Sequence, residues 1–187
     1  MLTRRHFIAT GAAFPLLPKL AEAQESSWRL ANRYRPQVVE INPGFRPGDI
    51  HVDFGAHFIY HVQEGNTAMR YGVAVGRDGL RSPGTYTINR KVEWPSWTPT
   101  ANMIAREPHV YARFAGGMAG GPDNPLGARA LYLYRGGRDS MLRIHGTPQP
   151  WTIGTSVSSG CVRMVNDHVM DLYERVPIGT RVVLHRA

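Results

Sequence analysis

The 187-residue sequence is poor in cysteine and lysine and has no long apolar run. Cys161 is the only cysteine, so no disulfide can form within the chain. The paired-cysteine and His-Glu-x-x-His spacings of zinc sites are also absent. Lys91 is the only lysine after residue 23, and arginine therefore supplies nearly all of the positive charge. The stretch 7–17, which Gly11 and Pro15 interrupt, is too short to cross a bilayer as a helix.

The N-terminal residues have the three-part layout of an export signal. Arg4 and Arg5 lie in the twin-arginine run Thr-Arg-Arg-His-Phe-Ile, a modestly apolar stretch follows, and Ala21-Glu22-Ala23 resembles a cleavage site. We therefore expect residues 1–23 to be a twin-arginine signal peptide and the protein to be periplasmic. The alternative is an uncleaved N-terminal anchor. No second long apolar run follows, so no stable membrane span is expected after cleavage.

Length and charge suit one basic domain. Removal of residues 1–23 leaves 164 residues, enough for a sizeable core, and lowers the net charge from +8 to +6. A basic surface fits nucleic acid or another polyanion. The sequence has no nucleic-acid-binding motif, and an exported protein rarely meets DNA, so acidic wall peptides or lipid headgroups are the expected partners rather than nucleic acid.

The remaining chain is expected to be mainly β. Residues 24–48 contain three prolines and predict a lead-in arm with at most one short strand, at 38–41. From residue 49 onward, short β-type runs alternate with glycine-containing turns, as in an antiparallel sandwich or barrel. The predicted strands lie at 50–53, 57–63, 68–75, 84–88, 130–134, 142–145 and 180–185.

Two segments depart from the strand pattern. Residues 165–176 have apolar side chains at helical spacing, with Asn166 or Asp167 as the expected cap, and predict one helix. Residues 93–128 are rich in glycine, proline and tryptophan and predict a long irregular loop. A loop of this length is either functional, a missed element or disordered, and we expect a lid or pocket wall.

Cys161 is a candidate nucleophile. An unpaired thiol is a liability in an oxidising compartment, so retention of one favours a function over a buried structural role. His145 precedes it by sixteen residues and ends a predicted strand. An imidazole beside a thiol can take its proton and later return it to a leaving amine. We expect antiparallel neighbouring strands to bring the two side chains together.

Residues around Cys161 suggest further roles. Gly160 lets the backbone approach closely, so the amides of Gly160 and Cys161 are candidate oxyanion donors. Arg163 would share the face of Cys161 in a strand and could bind a substrate carboxylate, or form an ordinary ion pair. No Asp or Glu stands out as a partner for His145, and a backbone carbonyl is the expected orienting group.

These motifs resemble the signature of the L,D-transpeptidase (YkuD-type) catalytic domain. That pattern is His-Gly-Thr, a loop, and then Ser-x-Gly-Cys-(Ile or Val)-Arg-Met-x-Asn; residues 145–147, 158–164 and Asn166 fill it. Weaker matches lie at 52–53, 73–76, 82–86 and 124–127. The sequence departs from the pattern at two positions. Ser159 stands where some members have a second histidine, so no second imidazole is assigned. Ser82 stands where threonine is usual.

The resemblance implies an L,D-transpeptidase-type β sandwich at residues 49–187 with one short helix after the cysteine. It implies that Cys161 attacks the bond between the position-three diamino acid and D-alanine of a peptidoglycan tetrapeptide stem. The resulting thioester would pass to an amine and give a 3→3 cross-link. His145 would be the acid and base, oriented by the carbonyl of Gly146. Substrate would contact Ser158, Ser159, Gly160 and Arg163, with no metal or organic cofactor.

Three alternatives remain open at this stage. Water as acceptor would give an L,D-carboxypeptidase, and a protein amine would give a ligase that attaches envelope proteins to peptidoglycan. A non-catalytic wall-binding module would make Cys161 incidental. A metal site at His57 and His61 is disfavoured, because four residues along a strand separate them by about 13 Å.

Overall fold

The chain forms a mainly β domain around one nine-stranded sheet. The computed structural model describes residues 28–186, so the predicted signal peptide lies outside the described residues. The strand order in the large sheet is β1-β4-β3-β2-β11-β6-β7-β8-β10, and β5 pairs with β9 in a second, two-stranded sheet. The strands are β1 (Gln37–Glu40), β2 (Ile50–Asp53), β3 (Phe58–Gln63), β4 (Thr67–Gly72), β5 (Val75–Gly76), β6 (Gly84–Glu93), β7 (Arg129–Arg135), β8 (Arg138–His145), β9 (Ser156–Ser158), β10 (Val162–Arg163) and β11 (Arg181–Leu184).

Within residues 28–186, three α-helices accompany the strands: α1 (Ala101–Arg106), α2 (Pro108–Tyr111) and α3 (Asn166–Arg175). Single 3-10 turns lie at Asn32–Tyr34, Ala112–Phe114 and Pro150–Thr152. No helix in the described part of the chain is long and apolar enough to cross a membrane.

The two halves of the large sheet close over α3, which gives the molecule its sandwich form. Val169 and Leu172 of α3 are fully buried, and the helix packs on β7 and β8. On the other side, Tyr71 of β4 donates a hydrogen bond to Asp171 of α3 (2.5 Å). Because β4 and β7 are five positions apart in the sheet, the sheet must bend for both to reach one helix. The main core cluster accordingly draws residues from both halves.

The mainly β fold and the helix after Cys161 are confirmed, and three details of the prediction are wrong. The run 68–75 is not one strand, because the chain leaves the large sheet after Gly72 and β5 pairs with β9. The pairing of β8 with β10 is parallel, not antiparallel. Parallel neighbours need a crossover of a dozen or more residues, and the segment between His145 and Cys161 is long enough to supply it.

The third error concerns residues 93–128, which are not an irregular loop throughout. The segment contains α1, α2 and a 3-10 turn, so α3 is not the only helix. Thr100 caps α1, since its hydroxyl accepts a hydrogen bond from the Met103 amide (3.2 Å). Pro108 occupies the first turn of α2, where its missing N–H costs nothing. These two start signals were readable in the sequence.

The N-terminal arm joins the domain through β1 and Tyr34, among other contacts. The expected short strand is present as β1, which pairs with β4 and forms one edge of the large sheet. Tyr34 is 8% exposed, and its side chain packs directly against Gly72 and Gly154. A side chain at either glycine would clash with it. Gly154 belongs to the segment between His145 and Cys161, so the arm braces that connection.

The Tyr71–Asp171 hydrogen bond is expected to stabilise the closure of the sheet over α3. Tyr71→Phe keeps the ring and removes the bond to a charged acceptor, so it should lower the free energy of unfolding by about 1.5–3 kcal/mol. Urea denaturation measures the change. Tyr134→Phe is the matched control, because the Tyr134 hydroxyl makes no hydrogen bond within residues 28–186. Equal stability of both variants would contradict the assignment.

Candidate active site

Parallel pairing of β8 and β10 brings the predicted site residues together. Val162 pairs with Ile144 and Arg163 with His145, and Cys161 comes immediately before β10. A cleft of about 780 Å³ lies at this point, and five of the seven predicted site residues line it: His145, Ser158, Ser159, Cys161 and Arg163. Gly146 and Gly160 are not part of its lining and contribute through the main chain.

Ser158 shapes the turn that carries the cysteine. Its hydroxyl donates to the Cys161 carbonyl (2.6 Å) and accepts from the Gly160 amide (3.2 Å). The side chain is 1% exposed, so both of its bonds are used within the protein. The Gly160 amide is therefore engaged in the resting site and is not free as an oxyanion donor, contrary to the sequence-based expectation.

Gly160 is required by backbone conformation and by space. Its φ is +124°, a region that L side chains rarely adopt, and a Cβ there would lie 2.9 Å from the Leu80 carbonyl oxygen. Gly76 of β5 approaches the same point, since its own Cβ would lie 3.0 Å from the Gly160 Cα. Two glycines thus let β5 press against the turn before Cys161.

Cys161 is partly exposed as a residue at the cleft, and its thiol is neutral at rest. Sγ forms a long hydrogen bond to the Met141 carbonyl (3.8 Å), and no hydrogen bond joins it to the His145 ring in the described structure. Burial raises the pKa of the Cys161 thiol, while the nearby Arg143 and Arg163 charges oppose that rise. Burial has the larger effect, so the thiolate is a minor form at pH 7.

His145 is also neutral at rest. The residue is 4% exposed, and burial, followed by the charge of Arg163, lowers its pKa to about 3. Nδ1 lies 2.6 Å from the Gly146 carbonyl oxygen. A carbonyl only accepts, so Nδ1 carries the proton and Nε2 keeps its lone pair. The expected backbone carbonyl is therefore the group bonded to this ring.

Asn166 holds the segment that contains this carbonyl. Its side-chain oxygen accepts hydrogen bonds from the amides of Ala128 (3.0 Å) and Thr147 (3.1 Å). A Cβ at Gly146 would lie 2.2 Å from that oxygen, so only glycine fits there. The helix begins at Asn166 with Val165 as its cap, so the cap predicted at Asn166 or Asp167 is wrong. In the sequence, only the position of Asn166 in the His-Gly-Thr…Cys-Val-Arg-Met-x-Asn motif indicated a role for this side chain.

Arg163 presents an uncompensated cation to the cleft. Its main chain is fixed by paired hydrogen bonds with Ala74 (2.8 and 2.9 Å). Its Nε is buried without a hydrogen-bond partner, and no carboxylate in the described chain lies within 4.0 Å of the guanidinium. The ordinary ion pair considered from the sequence is therefore absent from the described residues, which leaves a cation able to receive an anionic group.

The helical segment of 93–128 forms one wall of the cleft. Side chains of α1 and α2 reach Ser159, where Arg106 donates to its hydroxyl (3.0 Å) and the Tyr111 hydroxyl lies 3.5 Å away. Glu107 forms salt bridges with Arg77 and Arg106. The expected pocket wall is thus present, and it contacts Ser159, two residues before Cys161.

The histidines that the structure describes outside the site do not gather into a metal centre. His57 bonds the Ser156 hydroxyl (3.0 Å), and His51 bonds His185 (2.9 Å) in a second cleft that shares no lining residue with the first. Within residues 28–186 no group of three or more His, Cys, Asp or Glu side chains is arranged to hold a metal ion.

A thiol, a neutral imidazole and a guanidinium without an ion-pair partner thus line one cleft of a β domain, and these are side chains of the kind used in nucleophilic catalysis. Residues 47–184 match the model of the L,D-transpeptidase catalytic domain (YkuD), and the chain belongs to that family.

Curated relatives agree with this assignment. The chain is 39% identical over 127 residues to "Probable L,D-transpeptidase YbiS" of Escherichia coli strain K12, which covers 66% of this chain and 40% of the relative. It is 33% identical over 150 residues to "Probable L,D-transpeptidase ErfK/SrfK" of Salmonella typhimurium, covering 79% and 47%. The chain thus spans less than half the length of these relatives.

Solved structures show the same fold. "L,D-transpeptidase 3 from Mycobacterium tuberculosis" superposes with a TM-score of 0.55 at 15% identity, covering 81% of this chain and 62% of that one. A Brucella melitensis structure described as "a Probable carnitine operon oxidoreductase caia" is 53% identical, with a TM-score of 0.57, and the match covers 83% of this chain and 96% of that chain.

The neutral resting pair predicts how Cys161 reacts with pH. Because the pKa of the thiol is raised and that of His145 is lowered, alkylation by iodoacetamide should still accelerate with pH above about 8.5, the ordinary thiol value. Stopped-flow or mass-spectrometric alkylation rates from pH 5 to 10 measure this. A rate that reaches its plateau below pH 7 would instead show a thiolate–imidazolium pair.

Proposed function

We propose that this protein is a peptidoglycan L,D-transpeptidase in which Cys161 is the nucleophile. The observation that carries the proposal is that Cys161, His145 and Arg163 line the same cleft. The reaction cleaves the bond between the position-three diamino acid and D-alanine of a tetrapeptide stem. An amine of a second stem then takes the acyl group, giving a 3→3 cross-link.

His145 is the proposed proton carrier. With Nδ1 bonded to Gly146, the free Nε2 accepts the thiol proton as sulfur attacks the carbonyl carbon. Since both groups are neutral at rest, proton transfer accompanies the attack rather than preceding it. The thiol must first turn from the Met141 carbonyl towards the ring. The Gly146 carbonyl stabilises the imidazolium that forms.

The chemical steps balance with one proton carried by His145. Attack forms the S–C bond and an oxyanion, for which the Cys161 amide is the proposed donor because Ser158 already engages the Gly160 amide. Collapse breaks the C–N bond, and Nε2–H protonates the leaving D-alanine amine. The acceptor amine then gives a proton to Nε2 and attacks the thioester carbon, the C–S bond breaks, and Nε2–H returns the proton to the sulfur, which restores the thiol and the neutral ring.

Arg163 is the proposed binding group for a carboxylate of the stem peptide. Stem peptides carry free carboxylates, and a guanidinium without an internal partner gains most from such a ligand. Ser159, at the junction with Arg106, would contact the substrate from the α1–α2 side. Asp123 is the one acidic side chain lining a cleft that also contains Arg106 and Arg113, so the lining is basic overall.

The oxidoreductase named for the Brucella relative is the competing assignment. The thiol, imidazole and guanidinium are the groups that acyl transfer requires, and residues 47–184 match the transpeptidase family. Both observations support transfer of an acyl group over transfer of electrons.

We further propose that the protein is exported. The motif at Arg4 and Arg5 and the Ala21-Glu22-Ala23 site support a twin-arginine signal over residues 1–23, a lead-in arm over 24–48 and a catalytic domain over 49–187. A periplasmic location would place the enzyme beside peptidoglycan. N-terminal sequencing of the protein from the native host tests this, and an intact Met1 on a cytoplasmic pool would contradict it.

The function is tested with a defined tetrapeptide-stem muropeptide and mass spectrometry of the products. The wild-type protein should release D-alanine and give a cross-linked dimer, whereas Cys161→Ala should give neither, because no thioester can form. A shortened tripeptide alone would indicate that water is the acceptor. A protein–muropeptide adduct formed with added envelope protein would indicate a ligase.

Wall-binding without catalysis has a distinct outcome in the same assay. A binding module would keep its affinity for sacculi and show no turnover with either the wild type or Cys161→Ala. That result would overturn the proposed function.

Asn166 should affect turnover through the Gly146 carbonyl. Asn166→Ala removes the acceptor of two amides, so the Gly146 segment and the His145 ring lose their fixed position, and we expect kcat to fall on the order of 10- to 100-fold. Asn166→Asp keeps an oxygen acceptor and should lose much less. Steady-state kinetics of both variants check this, and equal losses would contradict it.

A further inference from the structure

Strand β8 is irregular at the point where it passes the cysteine. Leu133 pairs with Leu142, but the next residue, Tyr134, pairs with Asp139. Two residues of β8, Ser140 and Met141, are therefore left without partners on β7. Met141 has a φ of 63°, in the left-handed region that is uncommon for a non-glycine residue. A β-bulge beside a functional site changes the direction of the neighbouring backbone and side-chain groups. Its strained backbone persists only where surrounding contacts stabilise it.

An ion pair closes the bulge at its two ends. The Arg143 guanidinium donates to both carboxylate oxygens of Asp139 (2.7 and 2.9 Å). Asp139 also accepts a hydrogen bond from the Met141 amide (2.8 Å). Ser140 completes the turn by donating to the Leu133 carbonyl and accepting from the Leu142 amide. The Asp139 carboxylate and the Ser140 hydroxyl thus both have defined partners at the bulge.

Arg143 is held rigidly on its other side. The residue is 9% exposed, and its guanidinium carbon lies 4.0 Å from the centre of the Tyr132 ring. A bidentate pair on a buried, stacked arginine has few alternative geometries. It therefore differs from an exposed surface pair, which contributes little and moves freely.

The bulge determines what faces the sulfur. Ser140, Met141 and Leu142 line the cleft, whereas Asp139 and Arg143 do not. The Met141 carbonyl, turned by the left-handed φ, is the hydrogen-bond acceptor of the Cys161 thiol. Because neither the carboxylate nor the guanidinium lines the cleft, neither is placed to contact the substrate.

We propose that Asp139 and Arg143 are positioning residues for the nucleophile, because their ion pair holds the bulge whose Met141 carbonyl orients the Cys161 thiol. This role rests on the proposed function of Cys161. The ion pair keeps the resting thiol at one defined position beside the cleft. From there a rotation of the side chain delivers the proton to His145.

The charges of the pair act on the thiol in opposite directions. The Arg143 charge lowers the pKa of Cys161 and the Asp139 charge raises it. While the pair is intact, the two effects offset each other. Loss of either partner should therefore expose the effect of the other, which gives the two variants distinguishable signatures.

The test measures Cys161 alkylation against pH together with transpeptidation kinetics, using the full chain. Asp139→Asn should move the alkylation midpoint to lower pH and Arg143→Met should move it to higher pH. Both should lower kcat on the order of 10- to 100-fold with a smaller change in KM, because the thiol is displaced and the substrate contacts remain. Arg143→Lys should recover part of kcat, since a lysine pairs with one oxygen only.

Asp171→Asn is the matched control. Asp171 and Arg175 form another Asp–Arg pair at i and i+4, on α3, and Asp171 also accepts the Tyr71 bond. This variant should lose stability without moving the alkylation midpoint. Unmoved midpoints in the Asp139 and Arg143 variants, with only a fall in Tm, would overturn the proposal. If Arg143→Met does not fold, an Arg143→Lys protein with wild-type kcat and midpoint would overturn it as well.

Positioning of the thiol by the Asp139–Arg143 pair and transpeptidation by Cys161 are tested by different measurements. Alkylation needs only the thiol, so its midpoints report on positioning even if no muropeptide is converted. Wild-type protein that releases no D-alanine would refute transpeptidation, while shifted midpoints in the two variants would still show that the ion pair controls the thiol.

Discussion

Parallel pairing of β8 with β10 is the constraint on which the site depends. It fixes His145 at the end of one strand and Cys161 immediately before its neighbour, although Cys161 follows His145 by sixteen positions in the sequence. The connection must leave the sheet and return in the same direction, and it does so through a 3-10 turn and β9. Gly76 and Gly160 make room for the return, and Tyr34 braces it from the N-terminal arm.

The electrostatic state of the site follows from burial. A thiol and an imidazole in a polar, exposed site would exchange a proton readily, but here both are stabilised in their neutral forms. The protein therefore orients the thiol and the imidazole and does not hold a preformed thiolate. Carbonyl oxygens orient both groups, that of Gly146 for the ring and that of Met141 for the sulfur. Their positions depend in turn on Asn166 and on the Asp139–Arg143 pair.

Much of this arrangement was predictable from the sequence, and the errors have physical causes. Alternating apolar residues predicted most strands, and the spacing of Val169 and Leu172 predicted α3. Short-range signals could not reveal strand direction, because a parallel and an antiparallel β10 have the same local pattern. The helices within 93–128 were missed because each is too short for a periodic signal, so that only the cap at Thr100 and the Pro108 start remained. Contacts such as Asp139–Arg143 depend on a β-bulge, and no residue type in β8 indicates that bulge in the sequence.

The central claim is that Cys161 carries the acyl group, and intact-protein mass spectrometry after rapid mixing with a tetrapeptide-stem substrate tests it most directly. If Cys161 carries the acyl group, one equivalent of D-alanine should be released per enzyme in the first turnover. A tripeptide-stem acyl adduct should also form, which peptide mapping assigns to Cys161 and which hydroxylamine removes. Release of D-alanine without an adduct in quenched samples, or an adduct on any other residue, would contradict it.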